Sequence, residues 1–310
     1  MTRHVARLAA APAAALLLAA CGSAPSTATD GGGPAISIVA AFYPLQFAAE
    51  RVGGERVRVT SLTAAGAEPH DLELSPQQVA AVSDAQLVVY LAGFQSSVDE
   101  AVAQTGGGNS LDAMTGIAPL APPQGEIDEA KADGGQPPTN DPHVWLDPTA
   151  MSTIVATVAG RLSTLDPAGA TEYAANAAAL TASLTALDAA WTSGTATCAS
   201  RDLVVSHEAF GYLAARYRFT QVGISGLSPD SEPSPAKVAE VADFVRTNGV
   251  RTIYYETLVD PKVAQTVAAE TGAATAVLDP LEGLAEGSTD DYLSVMSTNL
   301  DTVRKGQPCT

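Results

Sequence analysis

Imidazole is scarce in this chain, with four histidines in 310 residues, so each one is worth placing. His4 falls in an N-terminal stretch with the layout of a cleavable leader, which leaves His70, His143 and His207. His70 sits in "AEPHDLELSP", His143 in "DPHVWLDP", and His207 directly after the apolar run "DLVVS". A carboxylate, Asp279, follows "TAVL" as His207 follows its own run. Three imidazoles and one carboxylate suit a borderline-soft divalent ion, with Zn–N of about 2.0–2.1 Å in a tetrahedral shell. His207 also opens a helical pattern, where the helix dipole favours the neutral, metal-binding imidazole.

Residue by residue the case stays open. A lone loop histidine can serve as a surface or hydrogen-bonding group, and Asp279-Pro280 can be one more helix cap. The spacings match no local zinc motif such as HExxH or a finger. What favours a shared site is that His70, His143 and His207 all lie in comparable loops.

The elements that must bring them there are legible. "ISIVAA", "VRVTSL", "AQLVVYL", "DLVVS", "RTIYYE" and "ATAVL" are short apolar runs separated mostly by helical patterns. That alternation marks βαβ units with strands buried on both faces of a parallel sheet. In open parallel sheets ligands gather at the carboxyl ends of the strands, where His207 and Asp279 are expected. Helix starts are marked by Ser75-Pro76 with Gln78, and by Asp147-Pro148, Asp166-Pro167 and Asp260-Pro261; Gly272 marks a stop.

One helix differs. From residue 167 to about 192, a single stripe of Tyr173, Ala177, Leu180, Leu184, Leu187 and Trp191 alternates steps of four and three. This predicts a helix long enough to join two α/β lobes, with a long antiparallel hairpin helix as the other reading. The expected organisation is residues 1–20 as leader, 21–34 as flexible tether, 35–166 and 196–310 as α/β lobes with parallel sheets, and 167–195 as the joining helix. The acidic, Pro- and Gly-rich residues 122–140 read as a surface loop.

The termini and composition add a compartment. Arg3 and Arg7 precede an apolar run too short to span a bilayer, and the run ends in Leu18-Ala19-Ala20-Cys21-Gly22. That ending resembles a lipobox, in which Cys21 would carry the lipid. An ordinary leader is the alternative, but the Ser/Thr/Gly/Pro stretch behind Cys21 fits a tether. The formal charge of -18 becomes -20 if Arg3 and Arg7 leave with the leader. So acidic a chain speaks against nucleic acid and is compatible with a cationic ligand. The remaining cysteines, Cys198 and Cys309, are expected to pair as a disulfide in an exported chain, worth about 4–5 kcal/mol on the chain-entropy model.

Taken together, "AAFYPLQFAAERVGG", "GAEPHDLELSPQQVAAVSDAQLVVYLA", "DPHVWLDP", "VVSHEAFGYLAARY" and "TGAATAVLDPLEGL" resemble the metal-specific solute-binding lipoproteins of bacterial ABC importers (cluster A-I), and most of all their zinc-type branch. The resemblance implies two (β/α) lobes joined by one long helix, with a metal site between them built from His70, His143, His207 and Asp279. It implies capture of Zn²⁺ rather than catalysis, at the outer face of the cytoplasmic membrane. A permease and its ATPase would be the partners, and the protein would be a lipid-anchored monomer. Zinc-type members often carry histidines in the acidic loop; this one has none, which puts a metal-gathering role for it in doubt.

Three rivals set the tests. A manganese-specific member usually has glutamate where this chain has His207. A zinc hydrolase needs an open coordination position and a base, for which Glu208 and Glu256 are the candidates. A binder of organic or oxyanion ligands needs basic or aromatic groups at the strand ends, which are few here. An adhesin role, described for related proteins, is compatible with transport.

Overall fold

A computed structural model describes residues 1–2, 35–105, 108–132 and 136–310. The expected leader, tether and lipidation site at Cys21 lie outside the described residues. Residues Pro34–Thr310 form one compact unit that contains both sheets.

The first sheet comprises β1 (Ile36–Ala40), β2 (Val57–Ser61), β3 (Leu87–Tyr90) and β4 (Ser110–Asp112) in the order β2-β1-β3-β4, all parallel. The second comprises β5 (Asp202–Val205), β6 (Thr220–Gly223), β7 (Thr252–Tyr255) and β8 (Ala274–Val277) in the order β6-β5-β7-β8, again parallel. The six apolar runs became six of these strands. The other two, β4 (Ser-Leu-Asp) and β6 (Thr-Gln-Val-Gly), are edge strands that hold one large apolar residue each and so show no apolar run.

Among the described residues ten α-helices accompany them: α1 (Tyr43–Gly53), α2 (Pro76–Asp84), α3 (Ser96–Gln104), α4 (Gln124–Ala132), α5 (Pro148–Leu165), α6 (Ala170–Gly194), α7 (Gly211–Tyr217), α8 (Pro235–Asn248), α9 (Lys262–Thr271) and α10 (Tyr292–Gly306). Their starts follow the sequence signals. Ser75 and Gln78 form a reciprocal capping box on α2, and Asp147 caps α5 through the Thr149 N–H. Asp260 Oδ1 accepts from the Lys262 N–H, and Gly272 ends α9 in the left-handed region at φ 77°.

The joining helix is α6. Its 25 residues span about 38 Å, and its buried residues are Tyr173, Ala177, Leu180, Leu184, Leu187 and Trp191, the predicted stripe. It begins later than expected because residues Pro167–Gly169 make a tighter 3₁₀ turn first, capped by Asp166. α6 packs on α1 and α5 of the first lobe and on α10 of the second. Trp191 stacks on Tyr217 at 5.2 Å, and its indole N–H donates to the Met296 carbonyl at 3.1 Å. One continuous apolar core therefore runs from the first sheet through α6 into the near face of the second. A smaller core lies on the far face, between β5, β7, α8 and α9.

Cys198 and Cys309 form a disulfide that ties the segment after α6 to the C-terminal residues. The acidic segment 122–140 is more structured than expected. It contains α4, and Glu126 Oε1 accepts the Leu227 N–H at 3.1 Å, docking the segment on the second lobe. No described helix is long and apolar enough to cross a membrane.

Candidate metal centre

Each ligand candidate is delivered by the end of a strand or by a capped turn. β2 ends at Ser61, and the loop behind it carries His70, whose backbone N–H donates to both oxygens of Glu68 at 3.0 and 2.9 Å. His143 precedes the 3₁₀ turn Val144–Leu146, just before α5. Asp141 Oδ1 accepts both its backbone N–H at 2.9 Å and its Nδ1–H at 2.8 Å, which fixes the tautomer and aims Nε2 inward. His207 leaves the end of β5. Glu256, at the end of neighbouring β7, accepts from His207 Nδ1 at 2.8 Å and from the Ser206 hydroxyl at 2.7 Å.

The three Nε2 atoms meet at one carboxylate oxygen. Glu282 Oε1 lies 3.2 Å from His70 Nε2, 3.2 Å from His143 Nε2 and 3.1 Å from His207 Nε2. The group His70, His143, His207 and Glu282 offers ligand atoms all within 4.8 Å of one another, the spacing needed to hold one metal ion. His143, His207 and Glu282 are almost completely buried. Phe94 walls the site, with ring centroids 4.6 Å from His70 and 6.1 Å from His143. His143 Nε2, though close to Glu282, lies outside hydrogen-bonding geometry and is a buried nitrogen without a hydrogen-bond partner among the described residues. With Nδ1 donating to Asp141, that nitrogen presents a lone pair to the centre of the cluster, as a metal ligand does.

The fourth position differs from expectation: the structure brings in Glu282 and not Asp279. Asp279 Oδ2 accepts the Thr257 hydroxyl at 2.8 Å, and Oδ1 accepts the Leu281 N–H at 2.7 Å. Asn299 clasps the Asp279 backbone from both sides, at 3.0 and 2.7 Å. Asp279 thus builds an Asx-type turn. Leu281 takes a left-handed φ of 57°, costing about 1–2 kcal/mol, and this reverses the chain so that Glu282 faces the histidines. The sequence signal was present in "DPLEGL", where Glu282 is followed by Gly283; the Asp-Pro pair drew attention to the turn-former instead of the residue the turn presents.

The charge state is also the reverse of one expectation. Burial alone would lower His207, but the charges of Glu282 and Glu256 and their hydrogen bonds outweigh it and push His207 up to about 10. The short α7 begins four residues later, too far for its dipole to compete. Burial likewise opposes ionisation of His143, yet Asp141 and Glu282 raise it. His70 is lowered by burial, only partly offset by Glu282. Burial would raise Glu282, but the charge of His207 and the hydrogen bonds from His207 and His70 hold it well below the usual carboxylate range. The cluster without metal therefore binds protons between imidazole and carboxylate, and an incoming cation must displace them.

The two candidate bases are engaged elsewhere. Glu208 accepts the Gly223 N–H at 3.3 Å and packs against that glycine, while Glu256 holds His207.

Residues 38–306 match the model of the ZnuA family, "Zinc-uptake complex component A periplasmic". The chain belongs to the ZnuA family. It is 33% identical over 297 residues to the "High-affinity zinc uptake system protein ZnuA" of Bacillus subtilis, covering 93% of each. It is 35% identical over 298 residues to the "Zinc-binding lipoprotein AdcA" of Streptococcus pneumoniae, covering 94% of this chain but 58% of AdcA. The chain thus spans little more than half of AdcA. Among solved structures, the laminin-binding protein Lmb of Streptococcus agalactiae superposes with a TM-score of 0.78 at 31% identity, covering 88% of this chain and 99% of Lmb. That protein is described as having adhesin and metal transporting activity. Zn(II)-bound AdcA of S. pneumoniae gives a TM-score of 0.75 at 34% identity over 88% of this chain and 58% of AdcA. The ZnuA family consists of solute-binding transport proteins rather than enzymes.

Proposed function

We propose that this protein captures Zn²⁺ outside the cytoplasm and delivers it to an ABC permease energised by its ATPase. His70 and His143 from the first lobe, with His207 and Glu282 from the second, close around one ion. Glu282 takes the role that the sequence resemblance suggested for Asp279. The observation that carries this reading is His143 Nε2, a buried nitrogen that has no hydrogen-bond partner among the described residues and is grouped with two other imidazole nitrogens and a carboxylate. A shell filled by four protein ligands leaves no position for an activated water, so the ion is held and not put to work. The third imidazole, at His207, favours zinc over the harder manganese.

In this reading Cys21 carries the lipid, residues 21–34 form the tether, and the monomer works at the outer face of the cytoplasmic membrane. The relatives named as zinc-uptake or zinc-binding lipoproteins support that placement. The lobes are tied by α6 and by direct bonds such as Gly66 N–H to the Leu284 carbonyl at 2.7 Å and Leu120 N–H to the Tyr212 hydroxyl at 2.8 Å. Release should therefore proceed by small local shifts rather than wide opening.

Metal analysis of the purified protein tests the reading. The wild type should carry one equivalent of zinc after loading, and His207→Ala should lose it. A wild type without stoichiometric transition metal overturns the proposal; preferential loading with manganese overturns the zinc assignment alone.

A further inference from the structure

The ligand-bearing segments of the two lobes meet on one residue that is not itself a ligand. Trp145 is fully buried, two residues beyond His143, with its ring 5.3 Å from the His143 ring. It also packs 5.4 Å from Phe94, the residue that walls His70. Across the lobe interface, its indole N–H donates to the Pro280 carbonyl at 2.8 Å, inside the turn that presents Glu282. Its own carbonyl accepts the hydroxyl of Tyr292, the first residue of α10, at 2.6 Å. Trp145 therefore touches the His143 segment, the packing behind His70 and the Glu282 turn at once.

The Glu282 turn needs such a restraint. Leu281 holds a left-handed conformation that an L side chain rarely adopts, and such a conformation persists only where surrounding contacts over-determine it. Asp279 and Asn299 restrain the turn from within the second lobe, and the Trp145 N–H restrains it from the first. Without that bond, the turn would carry an unpaired buried carbonyl beside a strained residue and gain freedom in the metal-free protein. Metal binding would then have to reorder it, and affinity would fall by that cost.

We propose that Trp145 is a positioning residue for metal capture: its indole N–H latches the Glu282 turn to the His143 segment, so that the fourth ligand is already in place when the cation arrives. The proposal rests on reading the cluster as a zinc site, and its test separates the two.

Zinc affinity is measured by competition with a chromophoric chelator for the wild type, Trp145→Phe, Glu282→Gln and the double variant, with melting of the metal-free forms followed in parallel. Trp145→Phe keeps an aromatic ring, though a smaller one, and removes the donor. It should weaken zinc binding about tenfold to a hundredfold, as loss of an outer partner of a ligand does. Because it acts through Glu282, it should cost less than about twofold further in the Glu282→Gln background. An undiminished affinity, or an equal loss in both backgrounds, overturns the latch and leaves the zinc reading intact; a wild type that binds no zinc overturns that reading instead. Should Trp145→Phe fail to fold, Tyr292→Phe enters the same cycle. It releases the other end of Trp145, and its effect must likewise vanish with Glu282→Gln or the latch is refuted.

Discussion

The two lobes share a strand order and differ in how they aim their candidate ligands. In the first lobe the orienting carboxylates are local: Glu68 bonds the backbone of His70 and Asp141 holds His143, each two residues upstream. In the second lobe the partners are remote in sequence. Glu256 comes to His207 from the next strand, 49 residues on, and Trp145 reaches the Glu282 turn from 135 residues away. A ligand oriented by its own neighbours is written in a short motif, whereas one oriented by sheet topology and interlobe packing becomes visible only in the fold.

That difference is sharpest at the fourth ligand. Glu282→Gln should weaken zinc binding by more than about a hundredfold, beyond the 10–100-fold expected for outer partners. Asp279→Asn, which keeps one acceptor oxygen for the Leu281 N–H and sets an amide NH2 against the Thr257 hydroxyl, should cost about tenfold or less. Equilibrium titration of the two variants decides between them, and the reverse order would return the ligand role to Asp279.

The contrast in charge gives a second, smaller effect. His207 of the second lobe is raised to about 10 without metal, while His70 of the first is lowered by burial. Zinc should therefore release protons well above pH 7, and its apparent affinity should fall by up to about tenfold for each pH unit below about 10 per proton displaced. A group raised on folding stabilises fully below its unfolded value near 6.5 and loses that contribution as pH rises through its folded value. The metal-free protein should accordingly lose stability between about pH 6.5 and about 10, while the zinc-loaded protein should not. Calorimetry in buffers of different ionisation enthalpy measures the protons; none released at pH 8 would mean that His207 is neutral before metal arrives.

The same local-versus-remote distinction explains what the sequence made legible. Six strands announced themselves as apolar runs, the edge strands β2 and β8 among them, and α6 as a six-residue stripe that matches its buried face residue for residue. The strands β4 and β6 did not, because Ser-Leu-Asp and Thr-Gln-Val-Gly hold one large apolar residue each, too few for a run. Helix α4 was hidden in an acidic, Pro-rich segment whose composition read as loop. The three histidines that the structure brings together were all singled out, because imidazole is rare and each sits beside a recognisable turn. Glu282 was missed because Asp279 stood at the strand end where ligands gather, and only the left-handed Leu281 shows that the chain turns once more. Glu256 was noticed at the end of its strand but considered as a base, since its contact with His207 depends on β5 and β7 being neighbours.

The most direct test of the central claim is X-ray absorption at the zinc edge of the loaded protein. A four-coordinate ion with three imidazole nitrogens and one carboxylate oxygen at about 2.0–2.2 Å is the expected result. Sulfur in the first shell, fewer than three imidazoles, or a six-coordinate oxygen-rich shell would contradict the assignment of His70, His143, His207 and Glu282 as the ligands of one zinc ion.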